Sequence, residues 1–448
     1  MSKAEAKPIS DEEFFATMGV RGLDPANPDS EIAERLDARL MRIYRTQLLL
    51  YYGLVVIAIG INAYAIWTGL FLKYPLVAAL TYGYALLAVV SDPLSFMTMK
   101  KTRLEEATAK QLGTTIDSDE LKNIVVEAME TLPAEMSFLR GREVPSIFIV
   151  DSKQANAMAT NEHFFNASRS LNAIYIFTAL LHLLQRDEVR SIMAHEMGHF
   201  YRYINPFQKH RLAAHLFRGS AAFFMVVGIH AWGTFGGWGW IPGVLLAHTI
   251  AAVIVGLCFS QGHQEAEFLC DYAAARKFGV LPMVNALLKI AVRTDLYFVM
   301  YEEVVEVLRS NPDLTINSTV EAAEACLPHG FIGADKARHL IRAALDKFRG
   351  TTPLTQEQKE SQDKVVKPIL ELLDKRTKHQ LVHWRDFDSR ILDSKLDAHE
   401  MRDFIGVLVA NKTLQVVGEL SDSDDLLSSH PSFRRRILFL ASTLPIES

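Results

Sequence analysis

Two histidines stand four positions apart in the segment His195-Glu196-Met197-Gly198-His199. Residues at i and i+4 of an α-helix project from the same face, so both imidazoles can bind one metal ion. Glu196, between them, can reach a water on that metal. Histidine nitrogens and carboxylate oxygens are ligands that Zn²⁺ takes in proteins. The segment predicts a zinc site with His195 and His199 as ligands and Glu196 as the catalytic base.

The flanking residues predict that this segment lies on a helix, Asp187–Arg202. Its apolar residues recur with helical spacing and form one sector, while His195, Glu196 and His199 occupy the adjoining sector. An amphipathic helix that buries ionisable groups on a second face needs a compensating interaction, and metal ligation supplies one. The apolar sector consists of Val189, Ile192, Met193, Met197 and Phe200.

A third ligand is expected, because catalytic zinc takes three protein ligands and keeps one position for water. The best candidate is Glu267, in the segment Glu265-Ala-Glu-Phe-Leu-Cys-Asp271. Asp271 lies one helical turn further on the same face and can orient a ligand histidine from the second coordination shell. Glu265 and His263 are rivals for the third ligand, and His263 shares a helix face with Glu267.

Composition excludes several classes of protein. The chain has 448 residues, of which 49% are hydrophobic and 22% charged, so it is neither disordered nor collagen-like. The net charge of −5 offers no basic excess for a nucleic-acid partner. Three cysteines are too few for a disulfide scaffold and fit reducing surroundings. The polar N-terminal residues 1–45 predict no cleavable signal peptide.

Charged residues are distributed unevenly along the chain. Thr46–Leu72, Tyr74–Ser91 and Gly219–Gln264 contain no Asp, Glu, Lys or Arg. About 20 apolar residues suffice for a helix to cross a bilayer. We therefore predict an integral, multi-pass protein in a lipid bilayer. The predicted spans are Leu48–Leu72, Leu76–Val90, Leu212–Trp232 and Trp240–Ser260.

Basic residues flank the predicted spans on one side only. Four arginines precede the first span, Lys100, Lys101 and Arg103 follow the second, and the hairpin tips carry only Lys73. By the positive-inside rule, the polar parts face the cytosol. The four arginines are Arg35, Arg39, Arg42 and Arg45.

The remaining segments predict a mainly α fold with a small β-sheet. Ser146–Val150 and Leu171–Phe177 are β-branched and aromatic runs typical of strands. Helical spacing recurs elsewhere along the chain. The predicted helices are Asp119–Thr131, Glu265–Phe278, Val284–Arg293, Tyr297–Arg309, Ala334–Phe348, Lys364–Leu373 and Ala398–Leu408.

The order of these motifs resembles a known family. A His-Glu-x-x-His helix, an apolar hairpin and then Glu-x-x-x-Asp look like the HtpX-type membrane zinc metalloproteases, relatives of the CAAX prenyl endopeptidases. Asn156-Ala157-Met158-Ala159-Thr160 resembles the family's Asn-Ala-Phe-Ala segment, with Met158 in place of Phe. Ser429-His430-Pro431, with Arg436 six residues after the histidine, resembles its His-Pro element. The resemblance covers about half the chain, mainly Val144–Gly279.

The resemblance implies a gluzincin-like catalytic domain combined with about four transmembrane helices, and one Zn²⁺ per chain. It implies that Asn156, Ala157 and Met158 bind the substrate backbone on a strand edge, and that His430 and Arg436 act as catalytic donors to the oxyanion. The expected substrates are polypeptides, namely membrane or misfolded proteins cleaved in protein quality control. The expected location is a bacterial inner membrane, with the site facing the cytoplasm.

The chain divides into alternating polar and apolar parts. We expect an N-terminal cytosolic segment, two transmembrane hairpins, two catalytic parts that follow them, a helical insertion and a closing His-Pro segment. The respective boundaries are 1–45 for the N-terminal segment, 46–92 and 211–262 for the hairpins, 93–210 and 263–350 for the catalytic parts, 351–420 for the insertion and 421–448 for the closing segment.

Two alternatives compete with a membrane endopeptidase. A CAAX-type prenyl-protein protease would share the metal chemistry, but that group encloses its site in more membrane helices than the four predicted here. A non-catalytic membrane scaffold or transporter could hold a structural metal. The presence of all three ligand candidates together with Glu196 argues against the scaffold, because an inactive relative would usually lack one of them.

Overall fold

A computed structural model describes residues 10–18, 20, 23–113, 116–131, 144–161, 172–200, 211–231, 240–259, 262–310, 314–346, 355–377, 380–388, 394–418 and 430–447. Within them the chain is mainly helical with a small sheet, as predicted. The helices before β2 are α1 (Asp11–Thr17), α2 (Glu31–Trp67), α3 (Leu70–Lys73), α4 (Pro75–Thr98), α5 (Ala109–Leu112) and α6 (Ser118–Thr131), where β2 is the strand Ser146–Val150.

The later helices surround the site or extend from it. They are α7 (Thr178–Leu183), α8 (Arg186–Gly198), α9 (Arg211–Ala231), α10 (Trp240–Phe259), α11 (His263–Phe278), α12 (Val280–Ser310), α13 (Ile316–Cys326), α14 (Ala334–Leu345), α15 (Gln356–Thr377), α16 (Ala398–Ala410) and α17 (Phe433–Thr443).

The principal sheet contains β1 (Thr102–Arg103), β2 (Ser146–Val150), β3 (Ala157–Asn161) and β4 (Asn172–Phe177) in the order β1-β2-β4-β3. β2 and β4 are parallel, and β3 runs antiparallel to β4. The strand predicted at Ser146–Val150 is confirmed, and its neighbour begins at Asn172. Both faces of β2 are buried, which explains its continuous apolar run. A two-stranded sheet pairs β5 (Leu381–Val382) with β6 (Gln415–Val416).

One large core joins the sheet to the helices that carry the site. Ile147, Ile149 and Ile176 point from one sheet face into this core, where Val189 and Met193 of α8 meet them. A second, smaller core lies under the C-terminal half of α12 together with α13 and α14. The C-terminal half of α12, α13 and α14 therefore form a packed unit beside the catalytic core, whereas α16 and α17 belong to the large core.

The apolar helices pack with one another, since α9 contacts α2, α4 and α10. Among the described residues, two helices are long and apolar enough to cross a bilayer, Glu31–Trp67 and Ala213–His230. Two shorter apolar stretches, Pro75–Ser91 and Pro242–Gly256, accompany them. Large apolar side chains point outward from this bundle, including Leu49 at 75% and Trp67 at 84% exposure.

Polar side chains face the interior of the same bundle. The amide of Asn62 donates to the Ser220 hydroxyl at 2.7 Å, and the Tyr82 hydroxyl donates to Asn62 at 2.6 Å. His248 contacts the carbonyl of Thr81 at 3.0 Å. This pattern, with apolar groups outside and paired polar groups inside, is typical of helices surrounded by lipid.

Several predicted elements differ from the observed ones, and among them Lys364–Leu373 is part of the longer helix α15. Val284–Arg293 and Tyr297–Arg309 were expected as separate helices, but they are parts of the single helix α12. The polar pair Thr294-Asp295 does not interrupt it, because the Thr294 hydroxyl donates to the Ile290 carbonyl one turn earlier, at 3.1 Å. The helix expected at Asp187–Arg202 ends at Gly198, with His199 as its C-cap. Residues 201 and 202 lie outside the described part.

Candidate metal centre

Helix α8 presents the two histidines from inside the core. A capping box begins the helix, because the Gln185 backbone N–H donates to the Glu188 carboxylate at 2.6 Å. Lys289 of α12 pairs with the same carboxylate at 2.6 Å, which satisfies its buried charge. His195 and Glu196 are only 5% and 7% exposed. The helix is thus fixed at its start, and its last turn carries the ionisable groups.

Helix α11 crosses α8 at very short range. A Cβ atom placed on Gly198 would lie 2.6 Å from the Cys270 sulfur and 3.1 Å from the Cys270 Cα atom. Only glycine allows the two backbones to approach this closely. This contact brings Glu267, one turn before Cys270, alongside the histidines of α8.

Three ligand atoms converge where the helices meet. The Nε2 atoms of His195 and His199 are 3.2 Å apart. Glu267 places Oε2 at 3.4 Å from the His195 nitrogen and Oε1 at 3.5 Å from the His199 nitrogen. A tetrahedral zinc ion with its usual bond lengths separates ligand atoms by roughly 3.3 Å. The spacing of these three side chains therefore fits one metal ion.

Two further observations support a cation at this position. Buried Glu267 Oε2 has no hydrogen-bond partner among the described residues, although an isolated buried carboxylate oxygen is costly. Glu196 joins His195 and His199 in a cluster whose ligand atoms lie within 4.8 Å of one another. The donor set thus fits a divalent metal, with Glu196 next to it.

Two successive ion pairs, Arg436–Asp271 and Asp271–His195, form a charge relay that orients the His195 imidazole. The Nδ1 atom of His195 is 2.8 Å from Asp271 Oδ1. Arg436, on α17, donates two hydrogen bonds to that carboxylate, from Nε at 2.7 Å and from Nη2 at 2.6 Å. This forked pairing fixes both the carboxylate and the imidazole plane. The relay leaves the Nε2 atom of His195 pointing at the ligand cluster.

The electrostatic field at the centre favours positive charge. Burial alone would lower the pKa of His195, but the carboxylates of Asp271 and Glu267 outweigh it and raise this pKa to about 10. Burial would likewise raise the pKa of Glu267, yet His199, His195 and His430 hold it well below its usual range. The carboxylates that raise the pKa of His195 also favour a bound cation at this position.

The rival ligands occupy different positions. Glu265 is buried, but its carboxylate pairs with Arg39 Nε of α2 at 2.9 Å. His263 is the first residue of α11, one turn before Glu267, and burial lowers the pKa of its imidazole. Of the three candidates, Glu267 is the one whose carboxylate contacts both His195 and His199.

The two residues near the C-terminal end lie on opposite sides of Glu267 and Asp271. His430 places Nδ1 at 3.3 Å from Glu267 Oε1, and 68% of its side chain is exposed. It therefore borders the cluster on the open side. Arg436 lies on the buried side, where Asp271 takes two of its donors, and its Nη2 atom is 4.0 Å from Glu267 Oε2.

Strand β3 runs beside α8 at the end of the sheet. It pairs with β4 through Ala157 opposite Ile176 and Met158 opposite Tyr175. The Asn156 carbonyl accepts a hydrogen bond from the Phe177 N–H at 3.0 Å. β3 is the last strand in the sheet order among the described residues. Its outer edge is thus the edge that the resemblance assigns to substrate.

Two residues of the site were not singled out from the sequence. Gly198 was quoted as part of the motif without a role of its own, although a glycine between the two histidines of a helix is a signal of a close helix contact. Arg39 was read only as one of the charges flanking the first span, whereas it also pairs with Glu265 on the metal-binding helix. Neither pairing follows from local sequence, since the partners are distant in the chain.

A cluster compatible with a metal site, built from two helices beside a sheet edge, and two helices apolar enough to cross a bilayer agree with the class of membrane metalloproteases. The chain belongs to peptidase family M48, which its residues 116–444 match. The resemblance to HtpX-type proteases is thereby confirmed.

Curated relatives agree with this assignment. Protease HtpX of Acinetobacter baylyi is 23% identical over 257 residues, which cover 54% of this chain and 79% of the relative. Protease HtpX of Acinetobacter baumannii strain AYE is 24% identical over the same length and shares. A Protease HtpX homolog of Pelotomaculum thermopropionicum is 32% identical over 168 residues, covering 34% of this chain and 53% of the relative. No solved structure matches the chain.

Proposed function

We propose that this protein is a zinc endopeptidase of the membrane, with one Zn²⁺ per chain held by His195, His199 and Glu267. The observation that carries the proposal is the mutual spacing of these three side chains, which is close to the edge of a zinc tetrahedron. When bound, zinc polarises the scissile carbonyl and lowers the pKa of a water. The ligand atoms of Glu196, His195 and His199 lie within 4.8 Å of one another, so the Glu196 carboxylate can accept a proton from a water at this site.

The residues of the chain divide the remaining work. Glu196 takes the proton of the attacking water as general base and passes it to the leaving amine. His430, on the open side of Glu267, donates to the oxyanion that develops on the substrate carbonyl. Asn156, Ala157 and Met158 hold the substrate extended along β3. Because Asp271 takes two donors of Arg436, we assign Arg436 the orientation of Asp271 and His195.

The polypeptide substrates we propose are membrane proteins and misfolded proteins, as in protein quality control. Four helices, α2, α4, α9 and α10, would form the bilayer-embedded part, in line with their outward apolar side chains. The arginines at the start of α2 favour a cytosolic active site. The resemblance to HtpX-type proteases favours a bacterial inner membrane. The gluzincin-like grouping and the seven segments given above are parts of the same proposal.

The experiment compares wild type with Glu196→Gln, purified in detergent, in the cleavage of an unfolded model protein. Wild type should cleave only when zinc is present. Glu196→Gln should keep its zinc and lose cleavage, because the amide cannot accept the proton. Asp187→Asn, on the same helix with a 71% exposed side chain, is the matched control and should cleave normally.

Other outcomes would exclude the proposed mechanism or support one of the alternative functions. Cleavage by Glu196→Gln at the wild-type rate would exclude Glu196 as the base. Zinc bound by both proteins with no cleavage of unfolded or prenylated substrates would favour a structural metal in a membrane scaffold. Cleavage confined to prenylated peptides would favour the CAAX-type alternative.

A further inference from the structure

Three consecutive arginines at the start of α17 are all buried. Arg434, Arg435 and Arg436 are 5%, 1% and 9% exposed. Successive residues of an α-helix point about 100° apart, so the three guanidinium groups reach three different neighbours. Buried charges need partners. Arg436 has Asp271 of the metal centre, whereas Arg434 and Arg435 have other partners, among them the carbonyls of Leu408 and Leu414, which accept from Arg434.

Both of the others share one carboxylate from the other end of the chain. Asp11, the first residue of α1, accepts from Arg434 Nε at 3.0 Å and from Arg435 Nε at 3.2 Å. The Arg435 guanidinium also lies 3.8 Å from the centre of the Phe14 ring. α1 lies outside residues 116–444, the part of the chain that matches family M48.

Aromatic contacts attach α1 to the two helices that build the centre. The Phe15 ring lies 5.3 Å from that of Phe268 on α11 and 6.4 Å from that of Phe439 on α17. Phe268 and Phe439 are themselves 4.9 Å apart. Phe268 directly follows Glu267, so α1 packs against α11 beside the metal-binding carboxylate.

We propose that Asp11 is a positioning residue of the metal centre. It acts through α17, the helix that carries Arg436, by fixing the rotation and register of that helix. The inference rests on the proposed function for its catalytic consequence. Without the Asp11 carboxylate, α17 loses its ion pairs to α1, and the helix that carries Arg436 is held in place by fewer contacts. A shift of α17 moves Arg436 relative to Asp271, which loosens the orientation of His195 and weakens the hold on zinc.

The test uses the full chain in detergent and compares Asp11→Asn with wild type. Asp11→Glu restores the charge and is the rescue variant. Glu12→Gln is the matched control, because Glu12 is 76% exposed and pairs only at the surface with Lys412. Three quantities are measured: zinc affinity against a chelator, the kcat and KM of cleavage, and hydrogen exchange of peptides from α11 and α17 in the metal-free protein.

Asp11→Asn should lower zinc affinity by about 10-fold, the lower end of the effect of outer-sphere substitutions. It should lower kcat with little change in KM and speed exchange in α17, while Asp11→Glu recovers most of each loss. If Asp11→Asn does not fold, Phe15→Leu, which thins the aromatic contact and keeps the charge, should change all three quantities in the same direction. Unchanged zinc affinity and kcat in folded variants would overturn the proposal.

The exchange measurement separates this inference from the function it rests on. If wild type binds no zinc and cleaves nothing, the proposed function fails. Faster exchange of α11 and α17 in Asp11→Asn would then still support the positioning of these helices by Asp11. Exchange equal to that of Glu12→Gln would exclude it in either case.

Discussion

At the scale of single residues, the centre depends on a line of charges that alternate in sign. Arg436 holds Asp271, Asp271 holds His195, and His195 faces the ligand cluster. Burial would raise the pKa of Asp271, but Arg436 and His195 lower it overall, so this carboxylate stays charged. A charged acceptor on Nδ1 fixes which imidazole nitrogen is free for the metal.

Asp271→Asn should weaken zinc binding by about 10- to 100-fold, because the amide is a poorer acceptor for His195 and leaves Arg436 unpaired. The loss of the buried pair should also cost on the order of 3–5 kcal/mol of stability. Zinc affinity is measured by chelator competition at a temperature where far-ultraviolet circular dichroism shows the variant folded. Asp403→Asn, on the surface of α16, should leave affinity unchanged; an equal affinity for Asp271→Asn would contradict the relay.

The histidine pair could be predicted from spacing alone, because i and i+4 fix a shared helix face. Glu267 was preferred over Glu265 because Asp271 lies one turn further on the same face, but periodicity gave no support to that choice. Glu265 and Glu267 are both buried, at 5% and 4% exposure, and α11 is buried on every side over Gln264–Asp271. A helix without an exposed face carries no periodic signal for its rotation. The rotation is set by contacts with α8 and with Arg39, which are distant in sequence.

At the scale of elements, the close crossing of α8 and α11 sets the position of Glu267, the proposed third ligand. Gly198 and Cys270 meet with no space for a side-chain carbon on the glycine. Interiors are packed densely enough that an added carbon displaces its neighbours. Any substitution at Gly198 therefore acts on the distance between Glu267 and the two histidines.

Gly198→Ala should destabilise the protein by about 1–3 kcal/mol and reduce zinc binding, because the methyl group forces α8 and α11 apart. Gly406→Ala on α16 is the control, since no atom lies within 4 Å of its added carbon. It should be neutral or slightly stabilising, as alanine favours helix. Thermal melting and zinc content give both values. Adding Cys270→Ala, which removes the clashing sulfur, should restore part of the loss; a Gly198→Ala protein that matches Gly406→Ala would refute the packing argument.

Element boundaries were predictable only where local signals end a segment. Ser146–Val150 was predicted at its observed limits because polar and proline residues bracket it. The first span was predicted to begin at Leu48, yet α2 begins at Glu31. The additional turns bury Ile32, Leu36 and Leu40 against the catalytic core. The helix therefore continues from the catalytic core into the apolar bundle, although the change from polar to apolar composition predicts a boundary there.

At the scale of the whole molecule, the protein combines an apolar bundle, made of α2, α4, α9 and α10, with a polar catalytic part. The uneven distribution of charge along the chain was enough to predict these four helices. Two of them meet the length and hydropathy expected for crossing a bilayer, and two are shorter apolar stretches. Hydropathy depends only on composition, so it does not show how much of the surface of a short helix is covered by neighbouring helices.

Labelling with a membrane-impermeant thiol reagent tests the proposed orientation. Leu72→Cys, at the tip between α2 and α4 with 89% exposure, should react in intact spheroplasts. Glu105→Cys, in the exposed turn after β1, should react only after the membrane is opened, because the catalytic part is expected in the cytosol. The unaltered chain gives the background from its own cysteines. The reverse pattern would place the active site outside.

The unbroken course of α2 has a mechanical consequence. The helix runs 37 residues, about 55 Å, and Arg39 lies roughly 40 Å from its apolar end at Trp67. A transmembrane helix answers a thinner bilayer by tilting. Because α2 is one continuous helix, a tilt of its apolar half in the proposed bilayer would also move Arg39, which pairs with Glu265 on α11. With zinc held as proposed, the chain length of the surrounding lipid would then alter zinc affinity.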